Sequence, residues 1–271
     1  MSNQILTPPE LARRYSPSTF DDGWEAVDQY LLVVEWSEIN PGASWWDAAK
    51  ALDLPKTRVR RWYSGEKPLV VKQIEKADDY GWFEATWESE IGRAFNILIA
   101  AILSGGWLSE NYSVGVRLDD DLDEGVVESI KKALEVLVSS YRIAEREDSE
   151  LGAELLPGKD RTLLGRAVNA IGVKKGKKTE GELTLPEYLT TAPEARRQEF
   201  VDLYVAMRGS SYESGKMVLR EERPKSYLNP LAALVEGVTG ETVWTGERAI
   251  YLSKDSAQAL DESYVWDERR S

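Results

Sequence analysis

Apolar residues recur at helical spacing along parts of this chain and alternate in a strand-like way along others. Residues 21–38, DDGWEAVDQYLLVVEWSE, and 70–80, VVKQIEKADDY, predict two helices. Between them, SWWDAAKALDLPKTRVRRWYSGEKP (44–68) divides in two. Ser44 and Asp47 make a capping-box start, and Trp45, Ala48, Ala49 and Leu52 follow a helical period. LDLP breaks that helix, Pro55 suits the first turn of the next, and a second helix over about 55–63 turns Val59 and Trp62 or Tyr63 inward. Farther on, LIAAILSGG (98–106) is an apolar helix that runs into two glycines, and VDLYVAMRG (201–209) repeats its shape. The first is followed by a turn and two short strands in GWLSENYSVGVRL (106–118). An amphipathic helix over 124–140 comes next, with Val127, Ile130, Leu134 and Leu137 on one face. YRIAERE is a strand candidate, and TLLGRAVNAIGV a helix ending at Gly172. The second is followed by paired strands over 212–222, a helix over 226–238, a hairpin around Gly246 and a final helix in KDSAQALDES. Helices and strands in this order predict an α+β fold.

Composition narrows the chemistry. The 271 residues include no cysteine and no histidine, which removes disulfides, thiolate nucleophiles, Cys/His zinc sites and the imidazole base. Metal chemistry would need carboxylates, and no cofactor is expected. The longest apolar run, FNILIAAIL, is too short to cross a bilayer, and the N-terminal residues show no signal-peptide core, so a cytoplasmic protein without a membrane partner is expected. The formal net charge of −13 reads either as a solubility device or as adaptation to high salt. The absence of cysteine, the run RLDDDLDEG and the arginine-rich basic set fit a halophilic, archaeal-type source. In molar salt the Debye length is about 3 Å, so local charge matters more than the total.

Local charge reverses twice. Residues 50–76 carry eight basic against three acidic side chains, and residues 159–178 carry seven against one. The plain reading of each is a solvated helix face or loop; together they suggest two contacts with one polyanion. The first island resembles a homeodomain-like helix-turn-helix, with small Ala49 in its first helix and a basic second one. That resemblance implies contacts to double-stranded DNA from Lys56, Thr57, Arg58, Arg60, Arg61 and Lys67.

The second island and the segment leading from it to the second nine-residue motif resemble the LAGLIDADG homing endonucleases and intein endonuclease domains. The residues that carry this are the helix ending in IGV, the KKGKKT loop, LTLPEYL, and the proline-started helix that enters the motif. The resemblance covers about 90–262 and implies a repeated order of helix, two strands, helix, two strands, helix. The domain layout is then a helical domain at 1–88 with the helix-turn-helix at 44–63, a first repeat at 89–195, and a second repeat with a tail at 196–271. The two motif helices would pack side by side at a pseudo-twofold axis, with Ala100, Ala101, Ser104, Ala206 and Gly209 permitting close approach. Their flanking sheets would form a saddle over DNA, with Ser109, Asn111, Ser113, Arg117, Tyr212, Lys216, Arg220 and Glu222 as candidate readers. Lys159, Lys174, Lys175, Lys177 and Lys178 would touch phosphates.

Nuclease activity in that family rests on one acid at the eighth motif position, where metals are held. Here those positions carry Gly105 and Arg208, and neither ligates a hard cation. Arg208 would either hold a phosphate or bridge a local acid such as Glu213. The expected function is therefore a non-cleaving, sequence-specific DNA-binding regulator of transcription or of a replicon, for which a monomer suffices and a dimer is open. The alternatives are an active nuclease with relocated acids such as Asp202, and an RNA- or protein-binding scaffold. Most aromatics, notably Trp45, Trp62 and Trp244, are expected in the core.

Overall fold

A computed structural model describes residues 4–16, 19–119, 121–145, 152–178 and 182–260. The last residues of the expected strand YRIAERE and of the expected final helix, 146–147 and 261–263, lie outside the described residues. The chain forms two compact units, one spanning Leu6–Phe83 and the other built from Glu84 onward together with the first five residues. The fold class is α+β: eleven helices and two small antiparallel sheets among the described residues.

The Leu6–Phe83 unit is helical. It holds α1 (Pro8–Ala12), α2 (Gly23–Ile39), α3 (Trp45–Ala51), α4 (Lys56–Tyr63) and α5 (Leu69–Asp79). Helices α2 and α3 start on capping side chains, whereas α4 and α5 start after prolines. Asp22 accepts from the backbone N–H of Trp24 and Glu25 at 2.7 and 3.0 Å, and Ser44 and Asp47 form the reciprocal capping box. Val33, Ala48, Ala49 and Val59 make a small core, so α4 is fixed by one deeply buried side chain. Trp62 joins this core to a second one built on Ala26, Val27, Tyr30, Val70 and Val71. It meets Tyr30 edge-on at 5.8 Å between ring centroids.

The larger unit contains α6 (Glu90–Ser104), β1 (Gly106–Leu108), β2 (Val114–Leu118), α7 (Glu124–Val138), β3 (Tyr141–Ala144), β4 (Ala153–Pro157) and α8 (Arg161–Ala170). After a 3-10 turn at Glu187–Thr190 come α9 (Glu194–Arg208), β5 (Gly209–Ser211), β6 (Met217–Arg220), α10 (Lys225–Thr239), β7 (Val243–Thr245), β8 (Ala249–Leu252) and α11 (Lys254–Gln258). The sheets run β1-β2-β4-β3 and β5-β6-β8-β7, so the second half repeats the strand order of the first. Through the leading helix and first hairpin of each half the repetition holds residue by residue. Gly106 pairs with Val116 and Gly209 with Leu219; Ser109 N–H donates to Ser113 O and Tyr212 N–H to Lys216 O, both at 2.8 Å. Positions 103 residues apart therefore correspond, and Ser104 Oγ lies 3.0 Å from Met207 Sδ, its counterpart.

Helix α6 is buried from Gly92 through Ser104, which accounts for its apolar character on every side. It packs on α7 and α9. Both nine-residue stretches close on glycine because the helix turns into a strand with no space for a side chain. A Cβ on Gly106 would lie 2.4 Å from Gly115 O, and one on Gly209 2.7 Å from Val205 O. Three expectations need correction. Residues 212–216 form a turn rather than strand, because Gly215 adopts φ +77° and its N–H closes on Tyr212 O. The expected elements place no strand at Ala153–Pro157, although the repeat order implies a second one beside YRIAERE; β4 supplies it, in a stretch with too few residues to show an alternation of its own. Helix α7 buries Val126 rather than Val127 beside Ile130, Leu134 and Leu137.

Candidate nucleic-acid interface

On α4 the basic side chains divide by what they touch. Lys56 is exposed and caps the Trp46 ring at 3.7 Å, Thr57 is exposed, and the exposed Arg60 lies 5.8 Å from the Trp45 ring. Arg58 is committed elsewhere. Its guanidinium stacks on Phe20 at 4.0 Å and donates to Gln29 Oε1 at 2.5 Å, clasping α4 to α2. Arg61 forms a two-bond pair with Glu66, which raises the arginine and lowers the carboxyl in pKa, and Lys67 pairs with Glu75 at 2.5 Å. The exposed polar side chains of α4 not held by an acid are therefore Lys56, Thr57 and Arg60, while Arg61 is paired with Glu66.

In the larger unit, Arg117 on β2 and Arg220 on β6 occupy corresponding positions, and both are exposed. Side chains directly opposite on neighbouring strands share a face. Arg117 faces Glu154, whereas Arg220 faces Ala249. Lys216, just ahead of β6, is also exposed, as is Tyr212 in the turn. Trp244 is no core residue: it is 52% exposed and lies directly opposite Tyr251, 43% exposed. Glu222 is a surface partner of Arg248 at 3.5 Å.

The second basic island does not act as one patch. Lys159 and Lys177 are exposed and Lys174 is half-buried, while Lys175 pairs with Glu110 at 3.5 Å and sits 4.9 Å from the Tyr112 ring. Gly176 N–H binds Leu108 O at 2.7 Å, anchoring this loop on β1. Lys178 is the clear correction. Its ammonium enters the C-terminal end of α6 and donates to the carbonyls of Ile102, Leu103 and Gly106, the last two at 3.3 and 2.7 Å. Burial, with Arg223 beside it, brings Lys178 down to about 7, while the carbonyls at the helix end favour its proton. An ammonium held there makes no outer contact with a phosphate.

Where α6 and α9 end, Gly105 leaves a gap into which Met207 Cε fits, 2.9 Å from where a Cβ would stand. Its counterpart Arg208 does not bond Glu213. The acid it meets is Glu221, at 3.4 Å from Nε, and its Nη2 donates to Arg220 O at 3.1 Å. Glu221 is 2% exposed and also accepts from Tyr204 Oη at 2.5 Å and Arg223 Nε at 2.9 Å. Arg223 in turn donates through Nη2 to Leu103 O. Burial raises both Tyr204 and Tyr227, the latter to about 12. Asp202 is 2% exposed and accepts from Gln198 Nε2 at 2.8 Å. Among the described residues no group of three or more acidic side chains is arranged to hold a metal ion.

The opposite ends of α6 and α9 carry a second buried network that the periodicity gave no reason to single out. Glu199 accepts from Arg93 Nε at 2.5 Å and from Arg196 Nη1 at 2.6 Å, and all three are at most 4% exposed. Asn96 donates to Arg196 O at 2.9 Å and accepts from Tyr188 Oη at 2.8 Å. Arg93 corresponds to Arg196 and Asn96 to Glu199, so the network straddles the seam between the halves. The signal available in the sequence was the paired arginines at matching places in the two motif helices.

Neither a protein-family model nor a curated protein matches this chain. No helix among the described residues is long and apolar enough to cross a membrane.

Proposed function

We propose that this chain is a sequence-specific, duplex-DNA-binding regulator that combines a helix-turn-helix at α3–α4 with a LAGLIDADG-like saddle lacking its cleavage acids. The observation that carries this reading is the exposed Arg117–Arg220 pair, set at corresponding positions on two sheets whose leading helices pack together. Arginines placed alike on two strands meet two turns of a repetitive polyanion far better than they serve one compact ligand. Helix α4 adds Lys56, Thr57 and Arg60 as a second reading element. The motif-end positions Gly105 and Arg208 supply no carboxylate, and the nearby acid Glu221 is already bonded by three donors.

The decisive experiment incubates the purified chain with a randomised duplex library, magnesium and multimolar potassium chloride, scoring retained and cut DNA together. Retained, intact duplex of defined sequence is expected. Cut ends with a fixed overhang would replace this reading with that of a nuclease using acids placed elsewhere. A second reading is favoured by one feature, the exposed Trp244–Tyr251 pair, which suits stacking on unpaired bases. Preference for structured RNA in competition with duplex would select it.

A further inference from the structure

The seam between the two halves is unequal in charge. On one side Arg208 and Glu221 stand at corresponding places to Gly105 and Leu118 on the other. Glu221 is the carboxylate that Arg208 and Arg223 share. Two guanidiniums against one carboxylate leave an excess of positive charge even when Lys178 is neutral. Lys178 and Arg223 spend part of theirs on the carbonyls that end α6. The Arg223 guanidinium is buried and lies over the Tyr227 ring at 4.5 Å, so its charge is held inside the cluster.

Arg208 is the member that reaches solvent, its side chain 37% exposed against 2% for Glu221 and 5% for Arg223. Its Nε and Nη2 are engaged by Glu221 and by Arg220 O, which fixes the plane of a guanidinium that is still partly open to solvent. The bond to Arg220 O ties Arg208 to the backbone at the end of β6. A guanidinium already oriented by two bonds loses little further freedom on binding an oxyanion, and such a bond is charge-assisted.

We propose that Arg208, oriented by Glu221 and by the Arg220 carbonyl, holds one phosphodiester of the bound DNA at the seam of the larger unit, on one side of the centre only. This rests on the DNA-binding reading above and adds to it an asymmetric, metal-free phosphate clamp. The corresponding position on the other side is Gly105, which offers no side-chain donor. The target site is then contacted unequally by the two halves, although their folds repeat.

The test uses the full chain and the duplex selected from the random library, with each central phosphate replaced in turn by an uncharged methylphosphonate. Affinity is measured for the wild-type chain and for Arg208→Gln, with magnesium replaced by a chelator. Arg208→Gln leaves Glu221 bonded to Arg223 and Tyr204, so the fold is retained, and thermal unfolding checks this. In the wild type, one central phosphate on one strand is expected to cost about tenfold or more in affinity when neutralised. The same replacement is expected to cost Arg208→Gln nothing further. Equal losses in wild type and variant at every phosphate would overturn the clamp while leaving DNA binding intact. Failure of the wild type to retain any duplex would remove the binding reading and the clamp with it.

Discussion

Arg58 and Arg60 sit two residues apart on one short helix, and the same residue type does different work at each. Arg58 lies over Phe20 and bonds Gln29, so its charge is used within the helical unit, whereas Arg60 faces outward. Arg60→Ala is expected to weaken duplex binding and lower the salt slope by about 1, with no change in thermal midpoint. Arg58→Ala is expected to lower the midpoint first; a salt titration beside thermal unfolding separates the two. Lys178 makes a pH-dependent contribution. Its folded pKa of about 7 lies below the ordinary lysine value of 10.5, so between these the unfolded chain binds more protons and stability rises with pH. The rise is at most about 1.4 kcal/mol per pH unit. Tyr204 and Tyr227 oppose it above about 10, because they hold their protons longer folded than unfolded. Urea midpoints from pH 7 to 9 should climb in the wild type, and Lys178→Met should remove its share of that climb.

Helices α6 and α9 show how far an element's periodicity reaches. A helix apolar all round is legible as buried, and α6 is. Helix α9 is amphiphilic in composition yet buries Arg196, Glu199 and Asp202, because bonds across the seam and along the helix satisfy them. Glu199 pairs with both Arg93 and Arg196 in this network. Glu199→Gln removes the buried carboxylate that these two guanidiniums share and is expected to cost about 3–5 kcal/mol in urea unfolding. Substituting Glu66, whose pair with Arg61 is on the surface, should leave the midpoint nearly unmoved. Strand β4 escaped sequence reading for a different reason: its place is set by pairing with β2 and β3, which lie outside its own short stretch of chain.

Across the larger unit, repetition of fold and inequality of chemistry coexist. Arg117 faces Glu154 across the strand, while Arg220 faces Ala249. A neighbouring carboxylate lowers the local potential that attracts a phosphate, so Arg220→Ala should weaken duplex binding more than Arg117→Ala. Filter-binding isotherms at one salt concentration decide this, and equal losses would mean that Glu154 has no influence on the bound face. The net charge of −13 sets a background against which these local sites operate, and in concentrated salt only contacts within a few ångströms survive screening.

The helices from α2 onward, the capping residue Ser44 and the two stretches closing on glycine were legible along the chain, because each depends on neighbours within a few residues; the short helix α1 and the Asp22 cap were not singled out. So was the pattern of basic islands. Which of their cations face outward was not, since that depends on partners far away in sequence. Lys178 finds its carbonyls more than 70 residues upstream, Arg58 its glutamine 29 residues away, and Glu221 collects donors from α9 and from Arg223. Hydrogen-bond chemistry is fixed by residue type, but whether a charge meets water or a buried acceptor is fixed by packing.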